Sequence, residues 1–466
     1  MTRDDAKGSR MTRREASVDA PDRAVAATAF ARVRRHQSPA LALAGKFAGR
    51  DAVEVEAEGC WVRLSDGRRV LDFASYAVTL LGHRHPDVVE AVRRQLDRMT
   101  VSTRSLTNPV TAEAAASLVD YLGGGLPRVY FGLNGTDAVE AAVKLARLAT
   151  GRRRVLALEG AYHGKSMGSL ALTHNPYFRT GLDGLLPGGT HVAPGDADAV
   201  DRELAAGDVA AVIFEPVQGE GGVVPIDPAF LRHLVDAAHR HGAFAIADEI
   251  QTGLRRCGER SVALADGLPV DAVLVGKPLG GGVLPVSAAV CGEKLYATLT
   301  ADPFRHTATF GGQPLGCAAS LAATQAVERL AERGGQVSAA VRAGLAALRR
   351  EHPRAIIDVR GRGLLWGVEL ASAHLAGEVV VNLAEEGLLV SPCLARPASL
   401  RLLPPLVASD ADVATAMGAL GRAVQRASAV VDGSDLASAS GLASASGVAS
   451  ASGVATRVPE VEELPA

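Results

Sequence analysis

Residues 271–287 read DAVLVGKPLGGGVLPVS. An apolar run of strand length ends in Lys277, and a proline and three glycines follow within five residues. Lysine is among the residue types least often buried, so a lysine that closes a core strand needs a chemical use. Two other apolar runs end in the same manner: AVIFE closes on Glu215 and AIAD on Asp248. Asp248 lies 33 residues after Glu215, and Lys277 lies 29 after Asp248. Each step is about one strand–helix–strand unit. In a parallel sheet built from such units, the carboxyl ends of the strands meet on one edge, where open α/β sheets bind ligands. The spacing therefore places Glu215, Asp248 and Lys277 in one crevice.

Outward from these strands the same alternation continues. VYF at 129, RVLALEG at 154, VAAVIFEP at 209, AFAIADE at 243 and DAVLVGK at 271 read as strands covered on both faces, because their apolar runs are continuous. Helical stretches lie between them, such as AFLRHLVDAAHRHG, with Gly242 placed to end it. This predicts an α/β domain with a mainly parallel sheet. From about Leu321 the pattern changes. A long helical stretch (322–353) leads to strand-like IIDVRGRGLLWGVEL and LLVSP, a smaller α+β lobe that residues 37–85 are expected to join.

The bulk numbers exclude several classes. At 466 residues the chain exceeds one simple core, since domains hold roughly 100–200 residues. A net charge of -2 provides no field for nucleic acid or an anionic membrane. The histidines are scattered without HExxH or paired Cys–His spacing, so no metal site is expected. Five widely spaced cysteines read as small buried hydrophobes in a reducing cytosol. No apolar stretch reaches the ~18 residues of a membrane span. The basic N-terminus carries mixed charges without an apolar core, so it reads as a flexible extension with a short helix near Val25 to Val33, and not as a secretory signal. LASASG, LASASG and VASASG repeat from Leu436 to Gly453. Such small residues bury too little area to offset chain entropy, so a linker or tail is expected there.

A further piece fits the crevice edge. VYFGLNGTDAVEAAVKLAR is a short strand, a turn through Asn134, Gly135 and Thr136, and a helix whose Ala138, Ala141, Ala142 and Leu145 share one face. A helix start with free N–H groups suits a phosphate, and no GKS or GKT follows, so this is not a Walker loop. Phosphate cradle, buried carboxylate and buried lysine together suit pyridoxal 5'-phosphate. The lysine amine forms a Schiff base with the aldehyde, so no ammonium need stay buried. The aspartate keeps the pyridine nitrogen protonated, which makes the ring an electron sink.

From about Pro39 to Ala408 the chain resembles the class III aminotransferases, of the fold-type-I pyridoxal-phosphate enzymes. Eight blocks carry the resemblance, in the family's order: YAVTLLGHRHPDVVEAVRRQL, FGLNGTDAVEAAVKLAR, GAYHGKSMGSLALT, EPVQGEGGV, DEIQTGLRRCG, GKPLGGGVLPVSA, HTATFGGQPLGCAA and LRLLPPLV. The resemblance implies a large domain (86–320) with a mainly parallel seven-stranded sheet. It also implies a small α+β domain from 37–85 and 321–426, flanked by an N-terminal extension (1–36) and a tail (427–466). It makes Lys277 the Schiff-base lysine and Asp248 the pyridinium partner. Tyr162 and Ile250 cover the two ring faces, Gln251 approaches the phenolic oxygen, and Gly135 and Thr136 bind phosphate. His163 and Glu215 join the cofactor-binding set, and Thr309 reaches the phosphate of the neighbouring subunit, which implies a homodimer. Arg401 grips an α-carboxylate, Glu220 covers that arginine when the substrate has none, and Tyr76 lies at the substrate pocket. The chain departs from the family at Asn134, Asp137, Arg255, Pro278 and Gln313, without losing a catalytic group.

The expected activity is a cytoplasmic transamination between an ω-amine, such as ornithine or acetylornithine, and a 2-oxo acid such as 2-oxoglutarate. A natural-product or peptide-borne carbonyl is an alternative acceptor. Decarboxylation, racemisation and aminomutation are alternative reactions on the same scaffold, and a catalytically dead binding protein is the alternative outside enzymes.

Overall fold

The computed structural model describes residues 23–182 and 184–439. Its centre is a seven-stranded sheet. Across the sheet the strands are Arg128–Gly132, Ser287–Cys291, Ala272–Val275, Phe244–Asp248, Val209–Phe214, Arg154–Leu158 and Gly189–Val192. Ser287–Cys291 runs antiparallel to both neighbours, and the other six strands are parallel. Successive residues serve opposite faces. Ile213, Ile246 and Leu274 pack into one core layer, while Val212, Phe214, Ala245, Val273 and Val275 pack into the layer on the other side. Because both faces are covered, the strands need apolar residues throughout rather than alternation.

Two strands are not visible as apolar runs. Gly189–Val192 is an edge strand with only Val192 buried. Ser287–Cys291 is fully buried but built of SAAVC, too small-residued to stand out after the glycines. The helices follow their sequence signals. Asn134 and Asp137 form a reciprocal capping box at Gly135–Thr150, and Ala138, Ala141, Ala142 and Leu145 on its expected face are all buried. Pro228–Arg240 starts at an Asp227 cap and stops before Gly242, whose φ of 68° cannot continue a helix.

The remaining strands form two smaller sheets. Glu54–Glu58, Trp61–Leu64 and Arg69–Asp72 are joined by Leu388–Leu389, which pairs in parallel with the third strand. Residues near either end of the chain thus share a sheet. The other sheet holds Ile356–Arg362, Leu365–Leu370, Arg396–Leu402 and Ser391–Cys393. The stretch expected as one long helix is two, Pro314–Arg329 and Ala331–Glu351, broken at Leu330. The last helix, Asp410–Ala439, runs past residue 427, where the sequence reading begins a tail. Up to Ala427 it is held by an apolar stripe: Ala416, Ala419, Leu420, Ala423, Val424 and Ala427 are buried at helical spacing. Most of the LASASG repeat lies outside the described residues, as does the N-terminal extension up to residue 22. The helix Arg23–His36 replaces the shorter one expected near Val25 to Val33.

All five cysteines are free and buried. Burial pushes the thiols of Cys60, Cys291 and Cys393 up to about 12, so they stay protonated and inert. Among the described residues no helix is long and apolar enough to cross a membrane.

Candidate active site

Glu215, Asp248 and Lys277 follow or close adjacent parallel strands, so the sheet does bring them to one edge. Lys277 starts a short 3-10 turn with a φ of 37°. That left-handed conformation is costly for a lysine and is of the kind found at functional sites. Burial, helped by the charge of Arg401, pulls its ammonium below the ordinary lysine range, against the pull of Asp248, Glu220 and Glu215. Desolvation thus favours a neutral, nucleophilic amine.

Asp248 is buried, with Oδ2 2.7 Å from His163 Nδ1 and Oδ1 accepting from the Ile250 amide at 3.2 Å. His163 is buried too, and its Nε2 has no hydrogen-bond partner among the described residues. Glu215 accepts from the Tyr162 amide at 2.9 Å and the Gly219 amide at 3.3 Å. Burial, reinforced by the Asp248 charge, pushes its carboxyl up to about 7.

The helix Gly135–Thr150 points its N-terminus at the same edge. Its capping box occupies the amides of Leu133, Asn134 and Asp137. The amides of Gly135 and Thr136, in the first turn, have no intrahelical partner. Gly135 lies so close to Ile250 that a Cβ would sit 2.9 Å from Ile250 Cγ2. Tyr162 is half-buried and meets Phe178 edge-on at 6.4 Å.

A second polar layer comes from the smaller sheet. Arg401, on Arg396–Leu402, is only 1% exposed, and its Nη1 donates to Glu220 Oε1 at 2.5 Å and to Gln251 Oε1 at 3.3 Å. The other oxygen of Glu220 accepts from the Leu394 amide at 3.2 Å, and the Glu220 carbonyl from Ala395 at 3.1 Å. Arg401 Nε has no partner among the described residues. Gly367, paired with Arg401 in the sheet, permits this approach: a Cβ there would lie 2.9 Å from that of Val223.

Two sequence-derived residues stand apart. Thr309 is exposed and lines a groove with Arg104, Thr111 and Phe131. Tyr76 is 69% exposed, on a turn that packs against the Lys277 turn. Sequence reasoning missed Arg256. It is fully buried and donates to the carbonyls of Leu364, Pro404 and Ala77, tying the large sheet's edge to both smaller segments. Its only signal was a charged pair, Arg255-Arg256, inside DEIQTGLRRCG. Glu249 was also missed; it accepts from Ser261 Oγ and from the amides of Val262 and Ala263. Three of the five departures from the family are locally accommodated. Asn134 and Asp137 complete their cap, and Arg255 pairs with Glu328 at 2.7 Å while keeping the positive φ (69°) suited to the usual glycine.

The donor set fits a phosphorylated pyridine aldehyde. It offers a desolvated amine, a buried carboxylate, a helix N-terminus, an aliphatic and an aromatic side chain, and two buried nitrogens, in His163 and Arg401, that lack partners among the described residues. Comparison with known proteins agrees. The family "Aminotransferase class-III" matches residues 48–424. A putrescine aminotransferase of Pectobacterium atrosepticum is 37% identical over 353 residues, 73% of this chain and 75% of that protein. The ornithine aminotransferase of Toxoplasma gondii ME49 superposes with a TM-score of 0.79 at 30% identity, covering 86% of this chain and 95% of the other. The N-acetylornithine aminotransferase of Stenotrophomonas maltophilia gives 0.70 at 30% identity, over 82% and 97%. With strand ends, helix cap and family match in agreement, the chain belongs to the class III aminotransferases, enzymes of fold type I that use pyridoxal 5'-phosphate.

Proposed function

We propose that the enzyme takes the amino group of an ω-amine and passes it to a 2-oxo acid such as 2-oxoglutarate. The observation that carries this reading is the buried Glu220–Arg401 pair. A guanidinium in the crevice suits a carboxylate beside the reacting carbon. A carboxylate already neutralising it suits a substrate that has none there. One site can then serve both halves of the reaction if Glu220 moves aside. The relatives named as putrescine, ornithine and N-acetylornithine aminotransferases support an amine remote from any α-carboxylate, and transfer rather than decarboxylation, racemisation or aminomutation.

When bound, the cofactor supplies an aldehyde to capture the amine and a ring to delocalise carbanion charge. Lys277 would hold its aldehyde carbon, Asp248 its ring nitrogen, Gly135 and Thr136 its phosphate. Tyr162 and Ile250 would cover the ring faces, and Gln251 the phenolic oxygen. Lys277, as a neutral amine, would take the proton from the donor carbon and deliver it to the former aldehyde carbon and not back to the donor. His163 holds the Asp248 carboxylate in place. Glu215, carrying a proton over part of the neutral range, limits negative charge beside Asp248.

The working unit is proposed to be a cytoplasmic homodimer, with Thr309 of the partner subunit at the phosphate. In its support, apolar side chains beside Thr309 are exposed in one chain: Leu106, which lines the same groove, at 74% and Phe310 at 46%. Residues 37–85 and 321–426 are proposed to form one small domain over the crevice. The test is a half-reaction screen. Holoenzyme is mixed with putrescine, ornithine, N-acetylornithine and alanine while the visible cofactor absorbance is followed. Bleaching by the ω-amines, reversed by 2-oxoglutarate, is expected. Bleaching by alanine alone, or carbon dioxide release, overturns the reading.

A further inference from the structure

Residues 75–77 hold the only run of three consecutive non-glycine residues with positive φ among the described residues. Ser75 has 37°, Tyr76 51° and Ala77 66°. L-residues avoid this conformation because Cβ crowds the following carbonyl. It persists only where the surroundings over-determine it. The surroundings here are specific. Asp72 is 1% exposed and accepts three hydrogen bonds: from the Ala74 amide at 2.9 Å, Ser75 Oγ at 2.5 Å and His83 Nε2 at 2.8 Å. Burial alone would raise its carboxyl pKa, but these bonds outweigh burial and hold it below the ordinary range. His83 is anchored in turn, its backbone paired with Gly59 in both directions, at 2.7 and 3.1 Å. One carboxylate therefore clamps the start of the strained turn to a fixed point eleven residues on.

The turn is also stitched to both halves of the crevice. Leu403, two residues beyond Arg401, donates its amide to the Phe73 carbonyl at 2.8 Å. Arg256 donates to the Ala77 carbonyl at 3.4 Å, and the turn touches the Lys277 turn. Ala77 and Leu80 are fully buried. Tyr76 alone is thrust outward. The clamp thus fixes a strained turn whose one exposed side chain is Tyr76, beside the Lys277 turn.

We propose that Asp72 and His83 are positioning residues: through Ser75 they hold the 75–77 turn left-handed, so that Tyr76 is presented to the amine donor at the crevice mouth. The side chain that meets the donor is then set by a hydrogen-bond clamp outside the cofactor cradle. This rests on the ω-amine reading for the ligand but not for the clamp.

The experiment compares His83→Leu and His83→Gln with the parent holoenzyme. Measured are KM for the amine and for 2-oxoglutarate, kcat, bound cofactor by absorbance, and hydrogen exchange of amides 73–80. For His83→Leu, faster exchange confined to that segment and an amine KM raised about tenfold are expected, with the 2-oxoglutarate KM and cofactor content within about twofold of the parent. His83→Gln, which can still donate to Asp72, should recover most of the difference. Unchanged exchange overturns the clamp. Faster exchange with an unchanged amine KM overturns its role in presenting Tyr76, as do equal losses in both KM values. If no ω-amine reacts with the parent enzyme, the substrate reading falls separately, and exchange in the two variants still decides the clamp.

Discussion

His163 Nδ1 lies 2.7 Å from Asp248 Oδ2, and both side chains are buried at the end of a central strand. The bond orients the carboxylate toward one direction and ties it to the GAYHG segment. A buried carboxylate without such a partner would be driven toward its neutral form. Asp248→Asn removes that charge while keeping the shape. A fall in kcat/KM of about a hundredfold or more is expected, since a preorganised charge at a reacting system is worth several kcal/mol. Steady-state kinetics with the amine varied at saturating 2-oxo acid checks this, and His163→Gln should show a smaller fall in the same direction.

Lys277→Ala removes the amine that the strained turn presents. Turnover should drop by about a thousandfold or more, the scale of lost general acid–base catalysis. The visible absorbance of the purified protein should shift from that of the parent. Normal turnover in this variant would remove Lys277 from the mechanism.

The Glu220–Arg401 pair divides the two half-reactions. Arg401→Ala should raise the KM for 2-oxoglutarate more than that for the amine, because only the oxo acid carries a carboxylate beside the reacting carbon. Glu220→Ala leaves a buried guanidinium unpaired. It should cost about 3–5 kcal/mol of stability by urea unfolding, the usual scale for breaking a buried pair, and impair the amine half-reaction first. Equal effects on both substrates in both variants would rule out a switching role.

Glu215 makes a prediction about pH. Its carboxyl sits at about 7 in the folded protein, against an ordinary value of 4.5. The folded state therefore keeps a proton that the unfolded chain releases, and the stability this brings is present at low pH and lost as pH rises from 4.5 through about 7. The loss is on the order of 3 kcal/mol at about 1.4 kcal/mol per pH unit. Urea titrations of the apoenzyme between pH 5 and 7.5 should show that Glu215→Gln declines less with pH than the parent does.

The crevice triad was legible because each member is a local event. Glu215, Asp248 and Lys277 end apolar runs, and strand–helix spacing puts such ends on one edge. The N-terminal helix start was legible for the same reason, as its cap and apolar face fall within twelve residues, Asn134 to Leu145. The strands Gly189–Val192 and Ser287–Cys291 were hidden. One is an edge that needs little apolar surface, and the other is packed by alanines whose burial depends on neighbours far away in sequence. The packing of the last helix was hidden as well, because the stripe from Ala416 to Ala427 is mostly alanine and shows its use only where Val341, Leu345 and Leu348 share its core cluster.

Sequence by itself determined the parallel sheet, the edge that carries chemistry and the residue types standing there, since hydrophobic period and strand–helix length are properties of neighbouring residues. Only the tertiary structure decided how those residues are tuned. His163 meets Asp248 across 85 positions, Glu220 meets Arg401 across 181, and a buried Asp72 joins His83 to the start of a turn whose backbone is strained at residues 75–77. The reason is physical: desolvation, ion pairing and strain depend on which distant groups share a dry space, and local sequence carries no measure of that distance.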